Sequence, residues 1–194
     1  MTALPLHPGR AIAEAVADYR ANADTGALFT RLHTVIQTAG ADELAAAVEP
    51  FREIPEVAGP VYEAIVARRP GDARAMVILA NAYWLTGRGP DVVGELAARA
   101  IEADSSNRGA WHLWALTAPV PRERVLRWQQ VAARFPEDDL ALAALADNAA
   151  SLASADDDPV ALKVAIDTYR ILLSRAKTTP QRLALEAALK ALSG

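Results

Sequence analysis

The chain has 194 residues, of which 52% are hydrophobic, 23% charged and only 6% aromatic, with no cysteine and a formal charge of −4 from 24 acids against 20 bases. At this length one domain that buries about 70% of its unfolded surface is expected, so no metal or disulfide staple is required. The lack of cysteine excludes a disulfide framework, a cysteine nucleophile and any thiolate metal site, and the weak acidity argues against a protein built to neutralise nucleic-acid phosphates.

Residues 1–20 lack a basic start followed by an unbroken apolar core, because Pro5, His7, Pro8, Gly9 and Arg10 interrupt the run. A secretory leader is not expected. The most apolar stretch, residues 75–85, is broken by Asn81 and is shorter than the roughly 20 residues a bilayer span needs. A cytoplasmic protein without membrane association is expected. Abundant alanine, and arginine preferred over the lysines Lys163, Lys177 and Lys190, is the habit of high-GC bacterial genomes.

Apolar residues recur at helical spacing throughout and no useful stretch alternates with period two, which predicts an all-α fold. Ile12, Val16 and Tyr19 mark a first helix. Leu28, Leu32, Val35, Ile36 and Ala39 mark a second, ended by Gly40 as a left-handed cap, and Leu44, Ala47 and Val48 a short third before Pro50. Three prolines and a glycine in residues 50–60 predict an irregular connection or a late helix start. Beyond Gly59 the helix-favouring runs are separated by regular punctuation: Pro70-Gly71-Asp72, Gly87-Arg88-Gly89-Pro90, Asp104-Ser105-Ser106-Asn107, Pro119-Val120-Pro121, Pro136-Glu137-Asp138 and Asp158-Pro159. Each supplies a cap, a glycine or a proline suited to a first helical turn, and Thr179-Pro180 repeats the device. The pattern is a string of antiparallel helix hairpins.

Pro70, Ser105 and Pro136 close similar junctions at separations of 35 and 31 positions. Between residues 73 and 107, Met76, Leu79, Ala80 and Tyr83 share one helical face, followed by Val93 and Ala100 at small positions of the next helix. The period, the closing proline and these positions resemble the tetratricopeptide repeat (TPR). Trp111, Trp114, Ala115 and Val131 continue the pattern with a shortened first helix. Leu142, Leu145, Ala146 and Ala149, then Ala165, Tyr169 and Leu172, form a further unit, and Ala58, Tyr62 and Ile65 belong to an earlier second helix whose first helix is residues 27–39. The resemblance covers residues 26–176 and departs from the family where alanine replaces glycine at the eighth position. It implies an α-α superhelix of antiparallel hairpins, a TPR-like solenoid. The expected organisation is residues 1–55 as divergent N-terminal helices, 56–176 as TPR-like pairs and 177–194 as a C-terminal capping helix, with Leu183, Leu185, Ala188, Leu189 and Leu192 covering the open end.

No catalytic constellation emerges. His7, His33 and His112 lie in separate segments without a second histidine at i+4, and there is no glycine-rich phosphate loop or serine elbow. Asp156, Asp157 and Asp158 lack the alternating spacing of a calcium loop and read as a solvated helix start. No metal, cofactor or enzymatic activity is expected. Of the four tryptophans, Trp111 and Trp114 fall on repeat core positions, and Trp128 joins Val125, Ala132 and Phe135 in a buried stripe. Trp84 shares a face with Val77 and Asn81, offset from the core face. In tetratricopeptide repeats that offset face lines the concave groove where peptides bind, and the same register adds His112, Leu116 and Asp147. Two readings of Trp84 stand: the groove, or packing on the neighbouring repeat. Family members that grip a peptide's terminal carboxylate use lysines and arginines beside asparagine; only Asn81 matches, so that specificity is not carried over. Arg124, Arg127 and Arg134 form a basic stripe, either a solvated face or a contact for an acidic partner.

These observations lead to a non-catalytic scaffold for protein–protein interaction, with a protein or peptide partner and neither nucleic acid nor membrane. The alternatives are a dedicated chaperone or assembly factor for one client, and a helical subunit whose concave face closes by homodimer formation.

Overall fold

A computed structural model describes residues 7–193; residues 1–6 of the segment tested for a leader, and Gly194, lie outside the described residues. Within them the chain is helical, without strands: α1 (Pro8–Asn22), α2 (Thr25–Thr38), α3 (Ala41–Val48), a 3-10 turn (Glu49–Phe51), α4 (Pro55–Arg68), α5 (Ala73–Leu85), α6 (Pro90–Ala103), α7 (Arg108–Leu116), α8 (Pro121–Arg134), α9 (Asp139–Asp156), α10 (Pro159–Arg175) and α11 (Thr179–Leu192). None is long and apolar enough to cross a membrane.

The helix starts follow from their sequences. Asp24, Asp72, Asp138 and Asp158 each accept first-turn amides of the helix that follows, Asp158 from both Val160 and Ala161. Such carboxylates satisfy donors that have no intrahelical partner. Proline in the first turn of α1, α4, α6, α8, α10 and α11 removes one of those donors and presets the backbone. Gly87 and Gly89 carry positive φ, 74° and 92°, and let the chain reverse before Pro90.

Three expectations change. Gly40 is not a left-handed cap: its φ is −73°, and it opens α3, its N–H donating to Glu43 Oε2 at 2.8 Å. The cap of α11 is Thr178, not Thr179. Residues 50–60 are mostly helical, with Pro60 inside α4. Proline there leaves the Glu56 carbonyl without its helical donor. The preceding residue is Gly59, which has no Cβ to meet the proline ring, so the step that usually disfavours helix before proline is softened.

The helices form two units, residues 1–113 and 114–194. In the first, α4 lies against α2, α3 and α5, and α5 against α6. Thus α2 is not alone in serving as the first helix of the earliest pair: the short α3 shares that role. Ile12, Leu28, Leu32, Leu44, Ile65, Met76 and Val93 are almost completely buried, and Val57, Ala58, Ala80, Ala97 and Ala100 fill the seams between them at 0% exposure. Small side chains allow helix axes to approach to about 8–10 Å. In the second unit α9 pairs with α8 and α10, and α11 packs on α10. Ala141, Ala146, Ala149 and Ala165 are fully buried there. None of the α11 leucines is fully buried, and Leu183 is 59% exposed.

The turn between α9 and α10 is tied to α8: Arg122 Nη1 lies 2.8 Å from Asp158 and Nη2 3.7 Å from Asp156. The amide of Ala161, opposed by partial desolvation and reinforced by Arg122 and the Val160 amide, holds the Asp158 carboxyl below its usual range. A depressed native pKa stabilises the fold above the unfolded value of about 3.9, and that contribution is lost as pH falls through the native value. Asp158→Asn, which keeps a capping oxygen, is expected to flatten the acid limb of a melting-temperature profile taken between about pH 2 and 7. An unchanged profile would mean that Asp158 is not among the groups driving acid unfolding.

Candidate functional site

α5 is a two-faced helix. Met76, Leu79, Ala80 and Tyr83 are buried, while Arg74, Asn81, Trp84 and Leu85 are exposed, Trp84 at 40% and Leu85 at 69%. Arg74, Ile78, Asn81 and Leu85 recur at four, three and four positions, a spacing that keeps them on one side of a helix. That side and Trp84 form one wall of a cavity of about 410 Å³. The opposite wall is Arg52 and Glu53, from the connection between the 3-10 turn and α4, with Pro55, the first residue of α4.

Behind this cavity Glu49 gathers charge. Its Oε1 accepts from Arg52 Nη1 and Arg74 Nη2, both at 2.6 Å, and its Oε2 accepts from the Tyr62 hydroxyl at 3.4 Å. Desolvation pushes the Glu49 carboxyl up, but the bonds and charges of Arg74 and Arg52 together outweigh it and hold the group below its ordinary value. Glu49 therefore stays ionised near neutrality and steers both guanidiniums. Arg52 Nε also meets Glu53 Oε1 at 3.1 Å. The cavity thus joins an indole and two aliphatic side chains to oriented guanidiniums and the Asn81 amide. Such a lining can hold the backbone and mixed side chains of an extended peptide.

Of the residues expected in a groove, Asn81 and Trp84 line this cavity. Val77 is half-buried on the neighbouring strip of α5, where a Cβ built on Gly109 would come within 3.2 Å of its Cγ1. The glycine lets α7 approach there, so Val77 packs between helices. His112 is half-buried on α7. Leu116 and Asp147 belong to the second unit. Leu116 is 37% exposed, and Asp147 Oδ1 accepts the Tyr169 hydroxyl at 2.6 Å. Burial first, then the Asp147 bond and charge, push the Tyr169 phenol far above its usual range, so this pair is a neutral-phenol contact between α9 and α10.

The basic stripe is largely engaged. Arg127 Nε and Nη2 donate to Glu123 at 3.0 and 2.6 Å, its Nη1 donates to the Trp114 carbonyl at 2.7 Å, and its guanidinium lies 4.6 Å from the Trp114 ring centroid. Arg124 Nη2 donates to the Ala118 carbonyl at 2.9 Å. Arg134 is exposed beside Phe135. Trp128 is buried, whereas Trp111 and Trp114 are half-buried, with Trp111 Nε1 donating to the Ser105 carbonyl at 3.0 Å.

The sequence reading missed Arg74, Ile78 and Leu85, although their helical spacing was a usable signal. It also missed Arg52 and Glu53, which come from a non-helical connection and carry no periodic signature.

The fold has counterparts among solved structures. The chain is similar to the crystal structure of MamA protein, with a TM-score of 0.59 at 13% identity over 89% of this chain and 97% of that one. A second MamA structure gives 0.57 at 14% identity, over 79% and 93%. A thermophilic TPR protein from Thermus thermophilus gives 0.55 at 16% identity, over 94% and 98%. No protein-family model matches the sequence, and no curated protein matches it significantly. At these identities the likeness is one of fold: an all-α, TPR-like array of helices.

Proposed function

We propose that this chain is a non-catalytic scaffold that binds another protein through the exposed face of α5, with an extended peptide of the partner lying against Asn81 and Trp84. The observation that carries the reading is the pairing of a 40%-exposed indole with an exposed carboxamide on the rim of the 410 Å³ cavity. An indole covers apolar side chains at small entropic cost, and an amide on the next turn can bond a peptide backbone. TPR-like folds act as platforms for protein partners, which agrees with this role.

Trp84→Ala is expected to leave the melting temperature within a few degrees of the parent, since surface changes rarely exceed about 0.5 kcal/mol. The same change is expected to weaken capture of the native partner, read by affinity purification with mass spectrometry, by at least about tenfold. A large drop in melting temperature would place Trp84 in the core. A concentration-independent dimer in light scattering that shields Trp84 from acrylamide would replace the free groove with self-association.

A further inference from the structure

We infer that the α5 cavity selects an acidic partner segment, one that presents an internal Asp or Glu side chain next to large aliphatic residues; this rests on the peptide-binding reading of α5. The lining is rich in hydrogen-bond donors. The chain carries a net charge of −4, yet the charged groups facing the cavity are two guanidiniums, Arg52 and Arg74, against one carboxylate, Glu53. Glu53 sits at the rim, its side chain 87% exposed. Glu49 lies outside the lining and accepts from both arginines through one oxygen.

Hydrogen-bonding capacity is skewed the same way. Arg74 uses only Nη2, leaving Nε and Nη1 to a ligand, and Arg52 keeps Nη2. The Asn81 amide and the Trp84 indole N–H add further donors. An acceptor-rich ligand fits such a wall, and a carboxylate gains the stronger, charge-assisted form of the bond. Ile78, Trp84 and Leu85 supply apolar surface for the flanking aliphatic side chains. Glu49 and Glu53 together balance the two arginine charges, so discrimination comes from short-range donor pairing on guanidiniums already held in place, without long-range steering.

The test is selection of N-acetylated, C-amidated random octapeptides on the full-length protein, followed by titration of one enriched peptide against variants. Blocking both ends removes any terminal carboxylate. Asp or Glu beside Leu, Ile or Val should be enriched, and Arg74→Gln should weaken the chosen peptide about tenfold, with Arg52→Gln acting in the same direction and Arg74→Lys retaining more than Arg74→Gln. Thermal melts of each variant separate a lost contact from a lost fold. Enrichment of basic or uncharged peptides, no enrichment at all, or acidic enrichment that survives Arg52→Gln with Arg74→Gln would overturn the acidic specificity. If peptides of any composition bind and Trp84→Ala abolishes them, the groove stands while its acidic preference falls. If Trp84→Ala leaves all selection intact, the groove itself is lost.

Discussion

Replacing Ala80 by leucine is expected to destabilise the 1–113 unit by about 3 kcal/mol and to lower its melting temperature by roughly 10 °C. Ala80 is fully buried on the α5 face that carries Met76, Leu79 and Tyr83. α5 packs against both α4 and α6, and Ala97 and Ala100 of α6 are likewise at 0% exposure. A leucine adds three carbons where the neighbouring helices already close on a methyl group, so it must leave its rotamer or push a helix outward. Ala67→Leu, at an exposed position of α4, is the control and should change stability by less than about 0.5 kcal/mol. Equal melting curves for the two variants would show that the helix seams do not depend on small residues.

Arg127→Ala is expected to cost the 114–194 unit about 2–3 kcal/mol, measured by urea unfolding. The side chain is only 19% exposed and performs three tasks: it binds Glu123, caps the Trp114 carbonyl and stacks on the Trp114 ring. Its removal leaves the Trp114 carbonyl with the Thr117 hydroxyl, at 3.2 Å, and takes away the charge-assisted bonds and the ring contact together. Arg127→Lys should recover less than half, because an ammonium cannot bond Glu123 through two nitrogens while reaching a carbonyl and lying flat on an indole. Full rescue by lysine would reduce the site to a point charge.

The same chemistry recurs. Arg68 on α4 donates to the Ala39 and Ile36 carbonyls at the end of α2, at 2.9 and 2.6 Å. Arg124 caps Ala118, and Arg175 on α10 donates to the Pro136 carbonyl at 2.9 Å. Arginine reaching across to the carbonyl end of another element is thus a structural device of this chain. In composition the arginine preference read as a genomic habit; its physical use is the fork of donors that a helix C-terminus needs. Two members of the expected basic stripe, Arg124 and Arg127, are used in this way, while Arg134 is exposed. Spacing put Arg124, Arg127 and Arg134 on one side of α8, but spacing does not reveal that carbonyls of the preceding segment lie within reach of the first two.

Much of the fold was readable because its determinants are local. Helical period, first-turn prolines and capping aspartates located nearly every helix, and Val93, Ala100, Ala146 and Ala165 were identified as packing positions that are fully buried. Misreadings cluster where neighbouring signals compete. Gly40 follows one helix and precedes another, and only the backbone decided that it serves the second. For residues 50–60 an irregular connection or a late helix start stayed open because the cost of proline inside a helix is local, while the packing of α4 on α2, α3 and α5 that offsets it is not.

For the candidate site the division is similar. Sequence periodicity by itself determined that Asn81 and Trp84 share a strip of α5 distinct from its core face, since rotation per residue is a property of the helix alone. Tertiary structure decided the rest. It set Val77 against Gly109 and bound Asp147 to Tyr169. It also brought Arg52 and Glu53, more than twenty positions upstream, to the wall facing Arg74 and Trp84. Whether an apolar strip is exposed or covered, and which charges stand opposite it, depends on how distant helices pack, which no repeat within one helix encodes.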